Sequence, residues 1–238
     1  MSSMDSRKIS IAIPTWERVK ETIASFEQVH DDTRVSEIVI VDDASSLETY
    51  NELKALCDFF PKVKLYRNLT NQDCFRNKMT AVSFCSNDFV CLWDSDNVFG
   101  VDYLNKIFLE KWSEDLILTP DFAKPHFNFR AYSGIVVTKE NVSEYIYKEM
   151  FETMLNANNF FVNKNEYLKV WDTITTDPVT SDSIMFCKNW LYVGNKIKVV
   201  NGLEYEHTVH EKSHYKTNVY RTPHGLHENI LQQLREMK

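Results

Sequence analysis

Glycine and proline are both scarce, with 5 and 6 copies among 238 residues. That scarcity excludes collagen-like and low-complexity structure. It also removes the glycine-rich phosphate cradles, since neither G-x-x-x-x-G-K-[ST] nor G-x-G-x-x-G occurs. The 5 cysteines include no C-x-x-C pair, and an odd number leaves one over in any full disulfide scheme. They are expected as free, mostly buried thiols in a reducing compartment. Residues 1–10, MSSMDSRKIS, lack the apolar run of a signal peptide, and no stretch reaches the roughly 18 apolar residues of a membrane span. The expectation is a cytoplasmic protein with no transmembrane segment, in which the sequons at Asn68 and Asn141 carry no meaning. Positive charge is also in deficit: 27 Lys and Arg face 34 Asp and Glu, a net charge of -7. Nucleic-acid scaffolds are usually basic, so no nucleic-acid partner is expected. An acidic chain that holds a pyrophosphate needs a local remedy: a metal ion, an Arg or Lys, or backbone N–H groups.

What is present fills a core, with 43% hydrophobic and 13% aromatic residues. A strand pattern over residues 8–13 (KISIAI) ends at Pro14-Thr15, and a helical pattern follows over 17–29. The next strand, 37–41 (EIVIV), is apolar on both faces, as a buried parallel strand should be, and runs into Asp42-Asp43. Ser46 is placed to cap a helix reaching Cys57. A third strand over 63–66 precedes a helix over 74–85, and a fourth over 88–93 (DFVCLW) ends at Asp94-Ser95-Asp96. This strand–helix rhythm predicts an α/β fold with a mostly parallel central sheet and flanking helices. Ligands of such sheets bind beyond the carboxyl ends of the strands, where Pro14, Thr15, Asp42, Asp43 and the acidic cluster collect. Beyond residue 100 the rhythm loosens. Helices are expected over 142–155, 164–171, 181–190 and 228–237, with strands over 116–119, 134–138, 197–200 and 203–207 and a short extended piece over 159–162. No linker or repeat divides the chain, so 1–238 is expected as a single domain, with a nucleotide-sugar-binding half over about 1–100 and an acceptor-binding, catalytic half over about 101–238.

An isolated D-x-D is more often an acidic turn than a site. Placement after a buried strand, at the fourth polar strand end, raises its significance. On an extended backbone Asp94 and Asp96 point the same way, and paired carboxylates suit a hard cation, Mg2+ or Mn2+, shared with substrate phosphates. A phosphatase-like D-x-D would follow the first strand, which here ends in Pro-Thr instead.

The segments ISIAIPTWER, EIVIVDDASS, FRNKMTAV and FVCLWDSDN together resemble the family 2 glycosyltransferases of GT-A fold, and the overall look is similar to virus- and microbe-encoded members. The resemblance covers roughly the first 100 residues and implies a transferase that moves a sugar from a nucleotide-sugar donor, expected to be a UDP-sugar, to a glycan or other hydroxyl acceptor. It implies Pro14 and Thr15 beneath the base, Asp43 or Asp42 on the base or ribose with Asp43 favoured, and Arg76 near the base or phosphates. Asp94, with Ser95 beside it, would serve the donor, and Asp96 would bind the metal directly. Phe75 replaces the usual Ala, and the Gly of the upstream loop is missing, which alters the loop path.

The resemblance also implies an inverting transfer with an acidic base at a late helix start. Asp182 holds that position; its charge there also suits the helix dipole. Asp177, in a loop before Pro178, is a weaker candidate. A C-terminal His often joins such a metal site, and His210 is the first choice, with His207 next. Zinc would compete through His207, His210 and His214 but lacks a fourth ligand. Lys212, Ser213 and Tyr215 could close over phosphates. Asn158 and Asn159 could meet the acceptor, and Trp16 is the aromatic expected to be exposed. Two rivals stand: a non-catalytic carbohydrate- or nucleotide-binding module of the same fold, and a nucleotidyltransferase, which would normally show a glycine-rich loop.

Overall fold

Four buried apolar runs build the front of the molecule. A computed structural model describes residues 6–156, 159–208 and 221–238. In it β1 (Ile9–Thr15), β2 (Val35–Asp42), β3 (Val63–Arg67) and β4 (Phe89–Leu92) lie parallel in the order β3-β2-β1-β4. β1 is buried along its whole length, as a central strand covered on both faces must be. The crossovers are helical: α1 (Lys20–Phe26), α2 (Leu47–Cys57) and α3 (Asp73–Ser83). Ser46 caps α2 as expected, its Oγ accepting the Thr49 N–H at 3.2 Å. α1 starts later than the 17–29 pattern suggested because Glu17 takes φ 52, a left-handed conformation that no helix continues through, and it ends at Phe26.

The back half joins the same sheet. After α4 (Val101–Leu109) come β5 (Leu116–Lys124), β6 (Phe127–Asn128), β7 (Val136–Val137), α5 (Phe151–Leu155) and β8 (Phe160–Asn163). α6 (Lys164–Trp171), α7 (Asp182–Tyr192), β9 (Lys196–Glu206) and α8 (Leu226–Arg235) follow. The nine described strands form one sheet in the order β3-β2-β1-β4-β8-β5-β9-β7, with β6 on β5. β8 runs antiparallel to both neighbours, and β9 is parallel to β5 but antiparallel to β7. The expected parallel character therefore holds for the front four strands and gives way to mixed pairing behind them.

Two differences have local causes. The helix expected over 142–155 is interrupted: a single 3-10 turn spans Val142–Glu144, and α5 begins only after Met150, whose φ is 64. The two strands expected over 197–207 are one, β9, which bends at Gly202 (φ 68) opposite a register shift between Pro120 and Phe122 of β5. Asp121 pins the bend, its Oδ2 accepting the Gly202 N–H at 2.9 Å and the Ser133 hydroxyl at 2.6 Å. All five cysteines are free, and four are buried. Among the described residues no helix is long and apolar enough to cross a membrane.

Candidate active site

The register of the front strands decides which side chains meet. Thr15 pairs with Asp42, and Asp42 with Arg67, so the three lie in one row at the carboxyl edge. The row continues by backbone bonds from Asp43 N to Thr15 O and from Asn68 N to Asp42 O, both 2.9 Å. Asp42 is fully buried; its Oδ2 accepts the Ser45 N–H at 3.2 Å and lies 3.5 Å from Arg67 Nε, while Oδ1 accepts nothing among the described residues. Asp43 Oδ1 takes Asn68 Nδ2 at 2.7 Å and the Gln72 N–H at 2.8 Å. Burial pushes both carboxyls above their ordinary range. Asp43 thus holds the β3–α3 loop in place, and Asp42 has the vacant buried oxygen.

The acidic cluster is a clamped turn, not an extended end. Trp93 N bonds Ala12 O, Asn97 N bonds Asp94 O at 3.2 Å, and the Trp93 indole donates to Asn97 O at 2.9 Å. Asn159 Oδ1 accepts the Asp94 N–H at 2.8 Å, and Asn97 Oδ1 accepts the Thr208 N–H at 3.0 Å. The turn gives the two carboxylates different cationic neighbours: Asp96 lies 3.1 Å from Arg18, and Asp94 3.8 Å from Lys78. The Ser95 hydroxyl is buried and has no partner among the described residues. Burial, reinforced by repulsion from Asp96 and Asp182 and opposed by Lys78 and Arg18, raises the Asp94 carboxyl to about 6.

Asp182 reaches the same place from the back half. It opens α7, is 5% exposed, and its Oδ2 accepts the Lys78 ammonium at 2.5 Å, with the Cys74 thiol at 3.9 Å. Burial opposes the charge of Lys78, but Asp182, with Cys74 and Asp94, more than offsets it and carries the ammonium well above its usual value. Next to Asp182, the Ser181 hydroxyl bonds His227 Nδ1 at 3.0 Å, and His227 Nε2 meets Glu152.

Residues 10–171 match the model of glycosyl transferase family 2. The chain belongs to this family. No curated protein is significantly similar to it in sequence. Among solved structures, S. aureus TarS 1-349 in complex with UDP-GlcNAc is similar at TM-score 0.68 and 18% identity, over 88% of this chain and 61% of TarS 1-349. A mannosyltransferase from Pyrobaculum calidifontis, PcManGT, in complex with GDP-Man and Mn2+, is similar at TM-score 0.65 and 13% identity, over 98% of this chain and 70% of its own. At these identities the likeness shows the fold. This family 2 glycosyltransferase has the GT-A fold, with a central sheet and flanking helices; membership favours the transferase over the nucleotidyltransferase reading.

Within this glycosyltransferase, Pro14, Thr15, Asp42, Asp43, Asp94, Ser95, Asp96 and Asp182 stand together at the carboxyl edge. Arg76 does not join them: it is exposed, because two residues along a helix turn the side chain through roughly 200° from Lys78, which faces inward. Lys78 and Asn77 were missed from sequence. Asn77 bonds Val41 O and Asn68, each at 3.0 Å, tying α3 to the carboxyl edge of β2 and β3. The signal for both lay in the FRNK run, where an apolar helix face would have been expected to exclude them. Asn159 is fully buried and serves the acidic turn, so it is not an acceptor contact. Asp177 is exposed and caps the Val179 N–H at 3.0 Å, a local role. Trp16 is 55% exposed, as expected.

His207 bonds the Tyr205 hydroxyl at 3.3 Å and packs against Phe127; burial lowers its pKa, favouring the neutral imidazole that ligates metals. Asn158, His210, Lys212, Ser213, His214 and Tyr215 lie outside the described residues. Among the described residues no group of three His, Cys, Asp or Glu is close enough to hold an ion alone. Crowded carboxylates and a neutral imidazole do fit a hard cation that completes its coordination with substrate phosphates.

Proposed function

We propose that this glycosyltransferase acts as one domain, moving a sugar from a nucleoside-diphosphate sugar, a UDP-sugar first, to a glycan or other hydroxyl acceptor with inversion. The observation that carries this reading is the shared ammonium of Lys78, 2.5 Å from Asp182 and 3.8 Å from Asp94. It puts a carboxylate from the back half beside the acidic turn of the front half, as a base next to a donor requires.

Asp42 Oδ1, which no described residue bonds, suits a donor such as uracil N3–H or a ribose hydroxyl, and Thr15 and Pro14 would lie beneath the base. Asp96 would be the direct ligand of an Mn2+ or Mg2+ shared with diphosphate oxygens, with Asp94 beside it on the donor side and His210, or else His207, as a further ligand. The bound cation supplies positive charge that offsets the charge of the departing nucleoside diphosphate. Asp182 takes the proton of the acceptor hydroxyl as that oxygen bonds the anomeric carbon. The anomeric carbon–phosphate oxygen bond breaks, and its electron pair leaves with the diphosphate.

Two measurements test the reading. Calorimetry of UDP and GDP with MnCl2 or EDTA should show diphosphate affinity that depends on the metal; equal affinity in EDTA removes the metal from the scheme. Release of UDP from UDP-GlcNAc, or GDP from GDP-mannose, should fall at least about a hundredfold in Asp182→Asn. Equal rates in wild type and variant would remove Asp182 from the base role.

A further inference from the structure

A lysine only 3% exposed on helix α3 needs an explanation. Lysines are almost never fully buried unless paired. Replacing a buried ion pair by apolar side chains is often neutral or stabilising, so stability alone does not account for this one. Lys78 and Cys74 stand four residues apart on α3 and therefore share a face, the face turned to Asp182. The ammonium bonds Oδ2 of Asp182. Oδ1 has no hydrogen bond to a described residue, although the carboxylate as a whole is only 7% exposed. One oxygen is thus tied and the other left for a ligand. The second carboxylate near the ammonium, Asp94, belongs to the donor side.

Resting on the reading of Asp182 as the base, we propose that Lys78 is the positioning residue of the transfer: its ammonium locks Asp182 through Oδ2, so that Oδ1 alone receives the acceptor proton, and it separates that base from the like charge of Asp94. A carboxylate without this lock is free to rotate about its side-chain bonds and is repelled by Asp94. The proton balance is unchanged by the lysine, which donates a hydrogen bond throughout and gives up no proton: the hydroxyl hydrogen passes to Oδ1, and the electron pair leaves with the diphosphate.

A double-mutant cycle tests this. Release of nucleoside diphosphate is followed across a panel of UDP-, GDP-, ADP- and dTDP-sugars with MnCl2, and the donor turned over fastest by the wild type is used. Lys78→Met should lower kcat at least about thirtyfold while UDP or GDP affinity by calorimetry stays within about threefold. Asp182→Asn alone and the Lys78→Met/Asp182→Asn double variant should have the same kcat, because a residue acting through Asp182 has nothing to position once it is gone. Lys78→Arg, which keeps a charged donor, should recover part of the loss. If Lys78→Met does not fold, judged by its melting curve, Lys78→Gln replaces it with the same expectation. A multiplied loss in the double variant, or a fall in diphosphate affinity equal to the fall in kcat, overturns the positioning role and leaves the base reading intact. Wild-type turnover in Asp182→Asn, or no turnover of any donor by the wild type, overturns the base reading and the inference with it.

Discussion

Asn159 Oδ1 accepts the backbone N–H of Asp94 at 2.8 Å, across the junction of β4 and β8. Asn159 is fully buried, and its own carbonyl accepts the Tyr103 hydroxyl at 3.0 Å. The acidic turn is therefore set by the back half of the chain as well as by the strand that leads into it. Asn159→Ala strands the Asp94 N–H and should cost about 1–3 kcal/mol in urea unfolding. The same variant should weaken Mn2+-dependent UDP binding by about tenfold or more, since the turn loses its outer clamp. Wild-type affinity in Asn159→Ala would show that the turn holds its shape without β8.

Asp94 gives the protein an inverted acid response. Its carboxyl rises from 3.8 to about 6, first through burial and then through Asp96 and Asp182. A raised carboxyl holds its proton longer when folded than when unfolded, so this group lowers stability as pH rises from about 4 to 6, and the whole cost is present above 6. The cost is on the order of 3 kcal/mol at most, since the side chain is 22% exposed. Asp94→Asn should melt higher than wild type at pH 7.5 and equal to it at pH 4. A variant no more stable at pH 7.5 would contradict the crowding of carboxylates described above.

Glu37 behaves in the opposite sense at the other end of the sheet. It is buried between strands, and it accepts Ser10 Oγ at 2.6 Å, Ser86 Oγ at 2.6 Å and Lys64 Nζ at 2.6 Å. Burial opposes its charge, but these donors win and hold the carboxyl at about 2. A depressed carboxyl contributes stability that is complete above the unfolded value near 4.5 and is lost as pH falls toward 2. The contribution is on the order of 3 kcal/mol and is an upper value, because Lys64 is 51% exposed and screened. Glu37→Gln should lower the melting temperature at pH 7 by several degrees and by little at pH 2.5. Equal losses at both pH values would mean that packing, not charge, holds this network.

Much of the front half was legible because its signals are local. The strands ISIAI and EIVIV are long and apolar enough to be buried on both faces, and the polar strand ends follow from chain order. The acidic turn was placed by the end of β4, but its internal shape was not, because the clamps from Asn159 and Thr208 come from 65 and 111 residues away. Lys78 was illegible for a similar reason: on a helix read alone it belongs to solvent, and only the arrival of Asp182, 104 residues later, makes its burial tolerable. Arg76 shows the converse. A motif position marks a residue type, but the helix phase that turns Lys78 inward turns Arg76 out.

His227 extends the support of Asp182, the proposed base, to α8. Its ring joins Ser181, the residue before Asp182, to Glu152 of α5, while Ile230, Leu231 and Leu234 of the same helix are buried. Thr222, just ahead of α8, meets Thr180 at 2.7 Å, so the two successive residues before Asp182 are held from the C-terminal side. The imidazole is about one-third exposed and Glu152 more so, which limits what the contact adds to stability. His227→Ala should therefore cost only about 1 kcal/mol in unfolding. Its effect on turnover should be larger in proportion, a fall in kcat of about three- to tenfold with UDP affinity unchanged, because a small displacement of a base is felt in the reacting geometry. His227→Gln, which can still join Ser181 to Glu152, should restore most of the rate. Turnover that falls only as far as the folded fraction falls would reduce His227 to a packing residue, and would locate the support of Asp182 in α3 alone.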